Sequence, residues 1–246
     1  GASISYRQTA DNISPDMELL VYTAAVKQDN PELVAAKELG IPTLTRAEFL
    51  GQIMRNYKTA IGVSGTHGKT TTTSILSEIL LEAETDPTIS VGGILKDIHG
   101  NMRIGHSDLF ITEACEYTNS FLSFAPTTAI ILNVMADHLD FFKDLDDIRH
   151  SFREFARLVP DDGTLIINSG IPDLSYFTDG LTCKIITFGL DPDVSDYCAV
   201  NISYDEMGCA CFDLLVKGEN MGSFHLNTLG EHPILDTLAA IAAAMD

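Results

Sequence analysis

The chain has 246 residues, of which 45% are hydrophobic, so it can bury a sizeable core in one large domain or in one domain and part of another. Its formal net charge is −20, with 15 Lys and Arg residues against 35 Asp and Glu residues. This balance argues against nucleic-acid binding, because a phosphate backbone requires a basic protein surface. An anionic ligand would need a local site built from backbone groups.

The cysteines are odd in number and lack the paired spacing of a zinc site. We therefore expect reduced, buried side chains that act as small hydrophobic groups, and the i, i+2 spacing of the last two predicts that they share one face of a strand. The sequence shows no signal peptide and no apolar run of 18 residues, so we expect a cytoplasmic protein that does not associate with a membrane. The cysteines are Cys115, Cys183, Cys198, Cys209 and Cys211.

The first predicted elements form a small βα layer. Residues 18–26 (ELLVYTAAV) are predicted to be a buried strand. A helix should follow, with Asn30 as its N-cap, a proline at its first position and Gly40 as its terminator. Thr45 and Glu48 have the spacing of a capping box, which predicts a second helix running toward residue 56.

A longer series of apolar runs alternates with helical patterns. The helical pattern over residues 145–159 is typical of these, because its apolar residues recur at helical spacing. This alternation predicts a mostly parallel sheet with helices on its faces. Residues 197–226 contain three short alternating stretches, which predict a small antiparallel sheet appended to the main one. The apolar runs are TAIGVSG, DLFITEA, TTAIILNV, GTLIINS and CKIITFG.

The stretch SGTHGKTTTT lies between the first of these runs and an amphipathic helix. A strand, a glycine-containing loop and a helix together direct backbone N–H groups and the positive end of the helix at one point, which suits a phosphate group. Lys69 would reach the β- and γ-phosphates, and the Thr70 hydroxyl would bind Mg²⁺. The motif is the short form G-x-x-G-K-T, because the full eight-position loop would place its first glycine at Val63.

Acidic and imidazole side chains follow two neighbouring runs. Glu113 ends one of them and is the best candidate for a magnesium ligand, with Glu116 close behind. Asp137, His138 and Asp140 follow the next run. Ligands of open α/β sheets bind at the carboxyl ends of the strands, which favours a site there. A histidine beside an aspartate can also be an ordinary hydrogen-bonded loop residue, so both interpretations of this position stay open.

The motifs SGTHGKTTTT, TEACEYTNSFL, ILNVMADHLDFF and LGEHPILDTLAAIAAA, in this order, resemble those of the Mur ligase family. The resemblance implies an α/β fold with a P-loop central domain, preceded by part of a Rossmann-like domain. Residues 1–57 would be part of a UDP-sugar-binding domain, and residues 58–246 would be the ATP-binding domain. The family's first glycine-rich turn and its C-terminal domain have no counterpart here, so we expect a fragment.

The resemblance also implies a set of site residues. The catalytic residues would be Lys69, Glu113 and His138, and Mg²⁺ would be held by Thr70, Glu113 and His138. The adenine side departs from the family pattern, which has asparagines where this chain has Pro233 and Asp236. The residues implied to bind ATP are Gly65, Thr66, His67, Gly68, Lys69, Thr70, Thr71, His232 and Asp236.

The activity implied is that of an ATP-dependent ligase of peptidoglycan precursor synthesis. The residues of these motifs are most similar to those of the branch that joins L-alanine to UDP-N-acetylmuramate through an acyl phosphate. A related peptide ligase of the same family, a folylpolyglutamate synthase and a nucleotide-binding module without ligase activity remain alternatives. Arg7 and Gln8 replace the usual sugar-side pattern, and Arg153 stands near the place of a modified lysine in other members. A GTPase switch is disfavoured, because no Asn-Lys-x-Asp sequence is present.

Overall fold

A computed structural model describes residues 2–246, which contain a two-stranded sheet near the N-terminus and a ten-stranded sheet. The small sheet pairs β1 (Leu20–Tyr22) in parallel with β2 (Thr43–Thr45), with α1 (Pro31–Glu38) between them and α2 (Arg46–Met54) after them. Strand β1 is shorter than the predicted nine residues, because the chain turns directly after it and Val26 N–H bonds the carbonyl oxygen of Thr23. The prediction that this strand is buried is wrong, since Val21 is 38% exposed.

Both predicted helix starts in this segment are confirmed. The Asn30 side chain accepts hydrogen bonds from the backbone N–H groups of Glu32 and Leu33, which caps α1. At α2, Glu48 N–H donates to Thr45 Oγ1 (3.2 Å), and Thr45 N–H donates to Glu48 Oε2 (2.7 Å). These reciprocal bonds satisfy donors that a helix start would otherwise leave unpaired.

The ten-stranded sheet has the order β12-β11-β10-β9-β8-β7-β3-β6-β4-β5. Its central strands, from β9 through β4, are parallel, as predicted, and β5, β11 and β12 pair antiparallel with their neighbours. The elements are β3 (Thr59–Ser64), α3 (Lys69–Glu82), β4 (Thr88–Leu95), β5 (Gly100–Arg103), β6 (Leu109–Glu113), β7 (Thr128–Ile131), α4 (Leu145–Ala156), β8 (Thr164–Asn168), α5 (Ser175–Thr178), β9 (Lys184–Gly189), β10 (Tyr197–Tyr204), β11 (Cys209–Val216), β12 (Glu219–Leu229) and α6 (His232–Met245).

Two features of this sheet go beyond the sequence-based prediction. Strands β4 and β5 were not predicted, because Gly92 and Gly93 interrupt the apolar pattern of β4. The predicted antiparallel strands are present, and they continue the main sheet, since β10 pairs in parallel with β9 through Tyr197 and Phe188.

Helices cover both faces of the sheet. On one face, α3 and α6 pack against the strands, with Leu76, Ile234 and Leu238 fully buried. On the other face, α4 and the turn at residues 117–123 bury a cluster that includes Phe121 and Phe155, whose rings stack at 4.6 Å. Both faces are therefore closed by apolar packing, as a mostly parallel sheet requires. None of the helices within residues 2–246 has the length and apolar character needed to span a bilayer.

The cysteines are all unpaired, and three of them are buried as expected. Cys211 is half-buried and Cys115 is exposed, so the expectation of burial is wrong for Cys115. The reason is its position: Cys115 follows the end of β6, where the chain leaves the sheet and lines a cavity.

Candidate functional site

The loop between β3 and α3 approaches its neighbours closely through two glycines. Gly65 has φ +149°, and a Cβ at this position would lie 2.8 Å from Leu132 Cβ. Gly68 is the N-cap of α3 with φ +87°, and a Cβ there would collide with the Asp236 carboxylate. Side chains are therefore excluded at both positions, and the backbone N–H groups at the start of α3 are left open to a ligand.

The loop is held by Asn133, which the sequence analysis did not single out. The Asn133 carbonyl oxygen accepts from Thr66 N–H (3.1 Å), and its side-chain oxygen accepts from His67 N–H (2.9 Å). Its amide nitrogen donates to the His67 carbonyl oxygen (3.0 Å). Because Ser64 of β3 pairs with Ile131 of β7, Asn133 lies beside the loop, and only knowledge of the strand order would have revealed this.

The Lys69 ammonium group contacts several acceptors within and beside the loop. Lys69 Nζ lies 2.6 Å from the Gly65 carbonyl oxygen and 3.2 Å from that of Thr66. It also pairs with Glu116, at 2.8 Å from Oε2 and 3.2 Å from Oε1. Glu116 is only 2% exposed, so the acidic partner of Lys69 is this buried carboxylate.

His138 lies near the same carboxylate. Its Nε2 is 3.7 Å from Glu116 Oε1, and its ring lies 4.7 Å from that of Tyr117. The Tyr117 hydroxyl group donates to Asp140 Oδ2 (2.9 Å), which raises the pKa of that phenol. His138 has φ +50°, a strained conformation for a residue other than glycine, and such strain is typical of functional positions. The structure therefore brings Lys69 and His138 together around Glu116.

Glu113 faces a different neighbour. Its Oε1 accepts a hydrogen bond from Gly92 N–H of β4 (2.5 Å). A Cβ on Gly93 of β4 would lie 3.1 Å from the methyl group of Thr70. Thr70, at the start of α3, and Glu113 therefore both lie beside β4. Within residues 2–246, no group of three or more His, Cys, Asp and Glu side chains surrounds one point, so a divalent ion would also need oxygens from a hydroxyl group or from phosphate.

The residues implied to contact adenine lie at the start of α6. His232 is exposed. Asp236 is 7% exposed and lies beside Gly68, and burial raises the pKa of its carboxyl group to about 6. A neighbouring cavity of about 560 Å³ is lined mainly by apolar groups and includes Leu235 but not Asp236. Contact of Asp236 with a nucleobase therefore stays a prediction.

A second cavity lies between the N-terminal segment and the main sheet. It has a volume of about 500 Å³. One wall comes from residues 23, 24, 45–48 and 50, and the other from Glu113, Cys115 and residues 117–120, 123 and 124. Thr118 and Asn119 in the second wall have φ of +56° and +57°, so strained backbone lines this cavity as well.

The parallel sheet and the glycine-containing loop between β3 and α3 define an α/β protein of the P-loop type. Two family models match the chain: the Mur ligase middle domain over residues 63–244, and the Mur ligase family catalytic domain over residues 1–58. The chain therefore belongs to the Mur ligase family, which confirms the family resemblance found in the motifs.

Individual relatives agree with this assignment. The UDP-N-acetylmuramate–L-alanine ligase of Lachnospira eligens is 59% identical over 243 residues, which are 99% of this chain and 53% of the relative. Among solved structures, the UDP-N-acetylmuramate-alanine ligase MurC of Thermotoga maritima has a TM-score of 0.79 and 28% identity, over 97% of this chain and 53% of that one. UDP-N-acetylmuramate:L-alanyl-gamma-D-glutamyl-meso-diaminopimelate ligase of Neisseria meningitides has a TM-score of 0.85 and 26% identity, over 97% of this chain and 77% of that one. The chain spans about half the length of the curated relatives it matches.

Proposed function

We propose that this chain is the nucleotide-binding portion, with part of the sugar-nucleotide domain, of an ATP-dependent ligase that joins L-alanine to UDP-N-acetylmuramate. The observation that carries this proposal is the location of the Gly65–Lys69 loop. It lies next to Glu116 and His138, close to a cavity whose walls come from both parts of the chain. The 59% identity to a relative named for this reaction supports the choice of substrates.

The loop fits a nucleotide triphosphate. Close packing at Gly65 and Gly68 leaves the backbone N–H groups at the start of α3 free for phosphate oxygens, and Thr70 is exposed at the second position of that helix. Mg²⁺ would be held by Thr70, Glu113 and His138, and when bound it would neutralise the charge of the phosphates. The apolar cavity beside Asn133 and Leu235 is large enough for a nucleobase.

The cavity between the N-terminal segment and the main sheet is the proposed site of the acceptor. Residues 1–57 contribute Arg46 to its lining, a cation suited to the carboxylate or diphosphate of the sugar nucleotide. The opposite wall carries Glu113 and Tyr117, which flank Glu116, the partner of Lys69, in sequence. An acyl phosphate could form where a substrate carboxylate in this cavity meets the terminal phosphate, and most of the catalysis would come from positioning and charge neutralisation.

Calorimetric titration with a non-hydrolysable ATP analogue and Mg²⁺ tests the nucleotide site. Lys69→Ala removes a charge-assisted contact worth about 2 kcal/mol, so affinity should fall at least tenfold. Lys58→Ala, at a solvent-exposed lysine outside the loop, is the matched control and should bind like the parent. Equal affinity for Lys69→Ala and parent would contradict the assignment of the loop.

A product assay tests the ligase reaction, using a chain that spans the full length of the relatives. Mass spectrometry should detect the amide formed from UDP-N-acetylmuramate and L-alanine with ATP. Product formation with a peptide amine but not with L-alanine would favour a peptide ligase of the same family. Nucleotide binding without any amide product would favour the module without ligase activity.

A further inference from the structure

The Lys69 ammonium group has no free donor directed toward a ligand. It has three protons, and these meet the carbonyl oxygens of Gly65 and Thr66 and the carboxylate of Glu116. A phosphate group can therefore gain a hydrogen bond from Lys69 only if one of these acceptors releases it. The carboxylate is the only charged acceptor among them, so it is the strongest competitor of an anionic ligand.

Glu116 depends on Lys69 for its charge balance. The carboxylate is 2% exposed, and a buried charge without a partner is costly. Within residues 2–246, the only other basic side chain within 4.0 Å is His138, whose Nε2 lies 3.7 Å from Oε1, beyond hydrogen-bond distance. If Lys69 turned toward phosphate, Glu116 would lose its main partner unless another cation replaced it.

We propose that Glu116 makes phosphate binding by this loop dependent on magnesium. In the absence of a divalent cation, the carboxylate holds Lys69 and opposes the phosphate. A cation bound beside His138 would balance the charge of Glu116 and release Lys69 to the ligand. Glu116 is thus a positioning residue that acts through Lys69, and this inference rests on the proposed nucleotide site.

The test measures the affinity for tripolyphosphate and for ATP by calorimetry, once with Mg²⁺ and once with Mg²⁺ removed by a chelator. Tripolyphosphate reports on the loop alone, because it has no base or sugar. Glu116→Gln keeps the shape of the side chain and removes its charge. Without Mg²⁺, this variant should bind tripolyphosphate about tenfold more tightly than the parent, since one charge-assisted bond no longer competes. The ratio of affinities with and without Mg²⁺ should fall by a similar factor.

Glu113→Gln is the matched control, since it removes a charge at the same sheet edge without touching Lys69. It should weaken binding with Mg²⁺ and give no tenfold gain without Mg²⁺. If the parent binds tripolyphosphate and Glu116→Gln binds it no more tightly without Mg²⁺, the role of Glu116 is overturned while the nucleotide site stands. A parent that binds neither probe under either condition would overturn the nucleotide site itself.

A ligand-free measurement tests the coupling between the two charges separately. Lys69→Met leaves the buried carboxylate without its main partner, so the melting temperature should drop. Adding Glu116→Gln to this variant should raise the melting temperature again, because the unpaired charge is removed. A double variant that melts no higher than Lys69→Met would show that the two charges are not coupled, and would overturn the inference.

Discussion

Asp236 is a buried carboxyl group whose ionisation should lower the stability of the folded chain. Its side chain is 7% exposed and lies against Gly68, and burial raises its pKa from 3.8 to about 6. The folded state therefore binds a proton more tightly than the unfolded state does. Stability from this group is fully present below pH 3.8 and is lost as the pH rises through 6.

The size of the effect follows from the pKa difference. A rise from 3.8 to about 6 is about 2.2 pKa units, which at 1.36 kcal/mol per unit corresponds to about 3 kcal/mol. Asp236→Asn keeps the shape of the side chain and cannot ionise. At pH 7.5 this variant should be more stable than the parent by about 3 kcal/mol, which for a chain of this size is a rise in melting temperature of roughly 6–12 °C. The difference should shrink to nearly zero at pH 4.

Thermal unfolding of parent and variant between pH 4 and pH 8 measures this difference directly. Asp86→Asn is a control of opposite sign, because the bonds from Arg103 and His106 lower the pKa of Asp86 to about 2. That stabilisation is present above pH 3.8 and is lost as the pH falls through 2, so Asp86→Asn should lower the melting temperature at neutral pH. A constant difference between Asp236→Asn and parent across the pH range would refute the reasoning.

Three further predictions concern the site. Gly68→Ala should weaken nucleotide binding more than tenfold in calorimetry. The new Cβ would collide with the Asp236 carboxylate, and a left-handed backbone at alanine costs about 1–2 kcal/mol. Parent-like affinity would contradict the close packing at Gly68. Asn133→Ala removes two side-chain hydrogen bonds to the His67 backbone, worth about 1 kcal/mol each, so the affinity for nucleotide should fall by roughly tenfold or more. An unchanged dissociation constant would show that the loop keeps its shape without these bonds. Cys115 should be the first thiol to react with an aromatic disulfide reagent, because it is the exposed cysteine among residues 2–246 and this access outweighs the desolvation that raises its pKa. Cys115→Ser should abolish the fast phase, and a fast phase that persists would place the reactive thiol elsewhere.

The phosphate loop was predictable from the sequence because its signals are local. Gly68 and Lys69 follow a strand and begin a helix, and backbone sterics and helix capping act over a few residues. The same is true of the capping box at Thr45 and Glu48. The family assignment also came from the sequence, because four motifs in a fixed order are specific.

The partners of the loop depended on tertiary structure. Glu116 pairs with Lys69 across 47 positions of sequence, and Asn133 contacts His67 across 66. These contacts follow from the order of the strands, in which β3 lies between β6 and β7. Hydrophobic periodicity identifies strands but does not specify their neighbours. The sequence alone therefore determined the loop and the start of its helix, whereas the packing of the sheet decided that the buried Glu116 is the partner of Lys69.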